Sequence, residues 1–469
     1  MNRTTRQAVF TFTTAVLLAP LTALRAADAP KPAVAGKPNI IFILADDLGI
    51  GNVSCYGADH FKTPHVDALA KSGIRFEHCY ASPLCGPSRC LLMTGRYAYH
   101  TGMTGNYSGP LLKPANETMM PTVLKTAGYA TAMCGKWSQL PLQPSDWGFD
   151  EYLRFQGSGK YWNTQEDNKT YTVNGKEMPL RNKEYLPDKM HDFVLDFIHR
   201  HKDRPFYVYY AMSHVHGKIL PTPDSKPRSK DLYYDNVVYM DKLVGKLVAE
   251  LDRLKLRDNT LIVFAGDNGT APGKAAVSTI NGGKALSGCK GTMLECGALV
   301  PCMASWPGKI PAGKVTRNLI NLADFFPTLA DVAGAKIPPS LTIDGRGFTP
   351  QLRGQDEKWP NQWIFVELGR HWYDRETDWK LNEARALFDM RRAPFSEPCI
   401  PAGKEDATAL AARKRLQTVL DQLNPAGGIM DQSPDGSGWG GKHQQKRKGG
   451  KAAKNKAAAT AENANEPDE

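Results

Sequence analysis

The stretch Cys85-Gly86-Pro87-Ser88-Arg89-Cys90-Leu91-Leu92-Met93-Thr94-Gly95 sets a nucleophilic side chain just ahead of an apolar run that can open a helix. Ser88 is of the N-cap type, and Cys90 to Met93 can form the first buried turn. The free N–H groups of a helix start carry roughly half a positive charge, enough to hold a tetrahedral dianion against Cys85, and Arg89 adds a full charge. On this segment alone, a capped helix beside a buried cysteine is an equally good reading.

Other chemistry-bearing residues follow apolar runs of strand length. Asp46 and Asp47 come after Asn39 to Leu44, and Asp267-Asn268-Gly269 comes after Leu261 to Ala265. In open α/β sheets the ligand crevice lies beyond the carboxyl ends of the strands. Hard oxygen donors at two such ends describe a calcium or magnesium site better than a soft-metal one, and three carboxylates converging without a cation would repel. The ordinary alternative for Asp46 and Asp47 is an Asx turn with solvated carboxylates. Lys136 ends the run Tyr129 to Cys134 and can offer a point charge to an oxyanion, or stand as a surface lysine. His214 and His216 follow Pro205 to Tyr210, without the further His or Cys cluster that a zinc site needs.

These residues require a scaffold. Continuous apolar strands alternating with amphipathic helices predict a large, mostly parallel sheet sandwiched by helices, over residues 37–345. Thr63 as N-cap and Pro64 at N1 open one helix, Ile74 to Tyr80 forms a strand, and Pro121 to Thr126 gives another helix. Val237, Val244, Leu247, Leu251 and Leu254 recur at helical spacing and predict a covering helix over 234–254. Residues 150–200 are weakly patterned and are expected to be loops near the mouth of the site. Short aromatic runs from Trp363 to Phe388 predict a smaller C-terminal antiparallel sheet, and Leu416, Val419, Leu420 and Leu423 a helix covering it, over 346–425. Residues 426–469 are expected to form a disordered low-complexity tail.

Composition excludes several functions. The net charge of +11 resides largely at the ends: three arginines in residues 1–26, and seven basic against four acidic residues after position 441. The body is therefore only mildly basic, with no nucleic-acid motif. Arg3 and Arg6, the apolar run Ala8 to Leu24 and small residues at 26, 27 and 29 make residues 1–26 a signal peptide, implying export to the periplasm or outside the cell. No later stretch is long and apolar enough to span a membrane. Nine cysteines are an odd number for an exported chain, so one is left over or chemically used, and Cys85 is the natural choice.

Cys-x-Pro-Ser-Arg followed by Leu, Met, Thr and Gly resembles the signature of the type I sulfatases, of the alkaline-phosphatase-like superfamily. The resemblance spans about residues 37 to 425 in five separated segments. It implies that a formylglycine-generating or sulfatase-maturating enzyme converts Cys85 to formylglycine, the nucleophile in hydrolysis of a sulfate ester, with secretion favouring a sulfated carbohydrate. It also implies one calcium ion, magnesium being the less expected ion, held by Asp46, Asp47, Asp267, Asn268 and the modified Cys85. Arg89 would orient the nucleophile, Lys136 and Lys290 would hold sulfate oxygens, and His216 would protonate the leaving alcohol, with His214 the second choice. The family's Gly-Lys-Trp-His-Leu reads Gly135-Lys136-Trp137-Ser138 here, and its Glu-Gly-Gly reads Glu295-Cys296-Gly297. A phosphoester or phosphonate hydrolase of the same superfamily, or a non-catalytic sulfated-glycan binder, are the rival readings.

Overall fold

A computed structural model describes residues 36–439, apart from 109–111, 138, 165–168, 274–278 and 356–358. The expected signal peptide, Ser138 and the basic run after 441 lie outside the described residues. In chain order the strands are β1 (Asn39–Ala45), β2 (Ile74–Tyr80), β3 (Ala130–Lys136), β4 (Glu151–Phe155), β5 (Thr170–Val173), β6 (Lys176–Pro179), β7 (Phe206–Ala211) and β8 (Thr260–Gly266). A two-stranded ribbon follows, β9 (Thr279–Ile280) with β10 (Lys284–Ala285), then β11 (Leu299–Ser305), β12 (Lys314–Thr316) and β13 (Ile320–Asn321). All but the ribbon join one sheet in the order β12-β2-β11-β8-β1-β7-β3-β4-β5-β6, with β13 also on β2.

The centre of that sheet is parallel: β1 lies between β7 and β8, and β3 between β7 and β4. β11 runs antiparallel between β8 and β2. All seven residues of β1 are buried because both faces are covered. Ile40, Phe42 and Leu44 enter one core with Leu92 of helix 85–94, Phe325 of helix 325–333 and Leu416 of helix 407–423. Ile41 and Ile43 enter the other, with Leu69, Val194 and Leu247 from helices 64–71, 186–201 and 232–253. The smaller sheet is antiparallel in the order β14 (Ile364–Leu368), β15 (His371–Arg375), β16 (Trp379–Asn382) and β17 (Leu387–Asp389).

Several expectations differ from the structure. Residues 150–200 are only in part loops: β4, β5, β6 and the helix Leu186–His201 take up more than half of them, while Tyr161, between β4 and β5, donates to His216 O at 2.9 Å. Leu186, Met190, Val194, Phe197 and Ile198 make that helix's buried stripe, spread too thinly among charges to stand out in the sequence. Thr63 does not cap helix 64–71 with its side chain; Asp241, from the long helix, accepts from Val66 N at 2.8 Å and His65 N at 3.2 Å. Residues 428–439 are not a free tail, since Ile429 N donates to Tyr99 O at 2.7 Å and Arg370 N to Gly436 O at 2.8 Å. All nine cysteines are free thiols.

The carboxylate of Glu367 on β14 accepts from Tyr99 N, in the short helix Ala98–Thr101, at 2.9 Å. Burial, against that hydrogen bond and helped by Asp344 and Asp431, pushes its pKa up to about 8 from 4.5. An acid raised in the folded state imposes no penalty below its unfolded pKa and the full penalty above its folded one, so stability falls as pH rises from about 4.5 to about 8. Glu367→Gln is expected to flatten that slope and to be the more stable protein at pH 8 by a few kcal/mol. Melting curves of both proteins across this range check it; parallel curves would remove Glu367 as the source.

Candidate active site

Sheet register assembles the site. Ala45 of β1 pairs with Gly266 of β8, so Asp46 and Asp267 leave the sheet side by side. Leu44 of β1 and Gly135 of β3 both pair with Ala211 of β7, which brings Lys136 and the segment after Met212 to the same edge. Asp46 N donates to His214 O at 2.7 Å and Val215 N to Asp46 O at 2.6 Å, tying the first and third of these ends together.

Asp47 turns back with φ 61°, a left-handed conformation that aspartate tolerates better than most residues. The turn lets Asp47 N donate to Asp267 Oδ1 at 3.0 Å while its carboxylate faces inward. Helix 85–94 points its first turn at these groups. Cys85, not Ser88, opens it: Leu84 is the N-cap, and Ser88 exchanges hydrogen bonds with Ser82 from within the first turn. Asn106 Oδ1 instead accepts Gly86 N at 2.8 Å, a partner no local pattern announces.

Around Cys85 Sγ the contacts are close. Lys290 Nζ lies 3.2 Å away, Asp46 Oδ1 3.4 Å and Asp47 Oδ1 3.6 Å. Lys290 also donates to Asp47 Oδ1 at 2.5 Å, and Lys136 donates to both oxygens of Asp46 at 2.8 Å. Arg89 donates to Asp267 Oδ2 at 2.7 Å and lies 3.6 Å from Asp46 Oδ1. Its other arm reaches Tyr209 OH and Lys136 O, both at 3.3 Å. Asn268 Nδ2 donates to Asp47 Oδ1 at 2.9 Å. Every one of these residues is buried.

The histidine pair separates cleanly. His216 Nε2 lies 3.7 Å from Asp47 Oδ2, and its Nδ1 is 2.6 Å from Gly217 O, which leaves Nε2 as the nitrogen facing the site. His214 is fully buried among Tyr161, Tyr185 and Tyr239, with Nε2 3.0 Å from Tyr185 OH, and burial lowers its pKa to about 3. It is a neutral packing group. All nine residues singled out in the sequence, Asp46, Asp47, Cys85, Arg89, Lys136, His216, Asp267, Asn268 and Lys290, therefore meet in one place. Asn106 and Tyr209 join them unforeseen, Tyr209 because an aromatic inside a buried strand signals only packing.

Electrostatics divides the acids. Burial would raise Asp46, but Lys136, His216, Arg89 and Lys290 outweigh it and hold the carboxyl well below the usual range. Asp47 is lowered likewise, chiefly by Lys290 and His216 against burial. Asp267 is pushed up to about 6 by burial and by the Asp46 charge, against Arg89. Burial and Asp267 push the Cys85 thiol well above its ordinary value, so the bare thiol here is a poor nucleophile.

Asp46, Asp47, Cys85 and His216 each present a ligand atom, all within 4.8 Å of one another. Asn268 Oδ1 is buried without a hydrogen-bond partner, while its Nδ2 holds the carboxylate of Asp47, whose own N–H takes Asp267 Oδ1. Orphaned oxygen beside concentrated negative charge, with mostly oxygen donors, fits a hard divalent cation.

A family model described as Sulfatase matches residues 38–335, and one described as N-sulphoglucosamine sulphohydrolase, C-terminal, matches 289–390. The chain belongs to the sulfatase family, the type I class of sulfuric ester hydrolases. Arylsulfatase A of Homo sapiens is 34% identical over 466 residues, covering 84% of this chain and 90% of the relative. N-acetylgalactosamine-6-sulfatase of Canis lupus familiaris is 33% identical over 360 residues, covering 71% and 68%. The crystal structure of Ps i-CgsB in complex with k-i-k-neocarrahexaose superposes with a TM-score of 0.71 at 28% identity, covering 86% of this chain and 97% of that one. Among the described residues no helix is long and apolar enough to cross a membrane.

Proposed function

We propose that this protein is an exported sulfatase acting on a sulfated carbohydrate, with Cys85 converted to formylglycine by a maturating enzyme and a calcium ion held by Asp46, Asp47, Asp267, Asn268 and the modified residue. The observation that carries the reading is the convergence on Cys85 Sγ of two carboxylates and Lys290 at the start of a helix whose Arg89 pairs with Asp267. The carbohydrate class draws support from the relatives: one is named for N-acetylgalactosamine 6-sulfate, another was solved with a neocarrahexaose.

An unmodified cysteine attacking sulfur would leave a thiosulfate ester with no second hydroxyl to expel the sulfate. A hydrated formylglycine supplies both hydroxyls, one to attack sulfur and one whose loss of a proton releases sulfate and restores the aldehyde. Bound calcium would offset two of the three carboxylate charges, the third being met by Arg89 on Asp267, and would lower the proton affinity of the attacking oxygen. Lys136 and Lys290, which in its absence neutralise Asp46 and Asp47, are then available to two sulfate oxygens. Arg89 fixes the start of the helix through Asp267 and so holds the nucleophile in line. His216 Nε2, less enclosed than the other groups, would give a proton to the leaving alcohol oxygen from the imidazolium form, since Nδ1 keeps its own proton on Gly217 O; burial opposes that form and the Asp46 and Asp47 charges favour it.

The test uses protein co-expressed with a maturating enzyme and assayed on sulfated mono- and disaccharides, and on matched aryl sulfate and aryl phosphate. Sulfate release from a sulfated sugar, with aryl phosphate turned over at least about a hundredfold more slowly, is the expected result. Faster phosphate than sulfate turnover would transfer the protein to phosphoester chemistry, and tight sugar binding without release would make it a glycan binder.

A further inference from the structure

Residues 428–439 lie beyond both matched stretches, which end at 335 and 390, and they return to the nucleophile. We propose that the strap Asp431–Trp439 forms one wall of the substrate site, and that Trp439 is the surface on which the sugar ring bearing the sulfate stacks. This rests on the carbohydrate reading above and assigns the recognition of the ring to a named residue.

The strap touches the reaction centre on two sides. On one, Asn106 N donates to Gly438 O at 3.0 Å while Asn106 Oδ1 accepts Gly86 N at 2.8 Å, so a single residue, through its backbone and its side chain, links the strap to the residue after Cys85. On the other, the Trp439 indole lies against Gly291, where φ is 76° and an added Cβ would collide with Trp439 Cζ2. Gly291 directly follows Lys290, whose Nζ is 3.2 Å from Cys85 Sγ. Only a glycine allows the indole to come this close.

Composition makes the ordering of this strap informative. Asp435-Gly436-Ser437-Gly438 has the make-up of a flexible linker and buries no large apolar side chain. Polar anchors hold it instead. Asp431, 3% exposed, accepts from Thr104 Oγ1 at 3.2 Å and Gly438 N at 3.4 Å, and also from Ser433 Oγ. Arg370 donates to Asp431 O at 3.1 Å and Ser433 O at 3.3 Å. Several hydrogen bonds thus offset the entropy lost by a glycine-rich segment, and what they position at its end is a partly exposed tryptophan against Gly291, the residue after Lys290. A pyranose presents an apolar C–H face beside its hydroxyls, and an indole supplies the matching large, rigid surface.

Calorimetric binding to a Cys85→Ala protein, with and without Trp439→Ala, tests this independently of turnover; the probes are 2-O-, 4-O- and 6-O-sulfated pyranosides and inorganic sulfate. Affinity for at least one sulfated pyranoside should fall about tenfold or more, while inorganic sulfate, which has no apolar face to stack, should change by less than about twofold. Trp439→Phe, keeping a ring, should retain at least about a third of the sugar affinity. Unchanged sugar binding in Trp439→Ala would overturn the stacking role, as would Trp439→Phe as weak as Trp439→Ala. Equal weakening for sugar and inorganic sulfate would show that the strap merely props Lys290, which also overturns it. Binding of inorganic sulfate with no pyranoside bound by the Trp439-containing protein would instead defeat the carbohydrate reading itself.

Discussion

Cys85→Ala is expected to lower sulfate release by at least about 10⁴-fold, leaving only what binding and electrostatic preorganisation contribute. The side chain is small and buried, so its loss should cost the fold no more than about 1–2 kcal/mol, and a melting curve separates inactivity from unfolding. Mass spectrometry of the Cys85 peptide from active wild-type protein gives the complementary result, an aldehyde in place of the thiol. Active protein carrying an intact thiol throughout would remove formylglycine from the mechanism. Its consequence for the wild type is plain: activity should follow the fraction of chains modified, not total protein.

Asp46→Asn should have the second largest effect, about 10³-fold on sulfate release, and it should do so through two separable routes. Asp46 and Lys136 are both fully enclosed, and the ammonium donates to both carboxylate oxygens. Removing the negative partner leaves Lys136 buried and unpaired, at about 3–5 kcal/mol in the metal-free protein. It also removes a ligand from the calcium site, so the rise in Tm on adding calcium, about 2.7 kcal/mol in stability at a hundredfold excess over Kd for the wild type, should shrink or vanish. Titrating calcium into both proteins and following Tm reads both routes. A variant whose Tm responds to calcium as the wild type's does would exclude Asp46 as a ligand.

Local chemistry carried much of this site. The strands ending before Asp46 and Asp267 are uninterrupted apolar runs, and such runs are recognisable because a strand covered on both faces needs apolar side chains throughout. Cysteine ahead of a helix start, lysine at a strand end and paired carboxylates declared themselves by type and spacing. The helix 186–201 did not, because charges sit between its buried residues, and the cap of helix 64–71 comes from Asp241, more than 170 residues away.

Cys85, Arg89, Lys136, Asp267 and their neighbours were thus determined as chemical groups by the sequence alone, together with the alternating helices and strands that carry them. Tertiary structure decided which histidine faces the site, since His214 and His216 differ by two residues yet one is enclosed by three tyrosines and the other reaches Asp47. It also brought Asn106 to Gly86, Tyr209 to Arg89, and residues 431–439 to Asn106 and Gly291. The physical reason is range: type and spacing report what a residue can do within a few turns of chain, while charge pairing, desolvation and close approach depend on neighbours that only the packed sheet assembles.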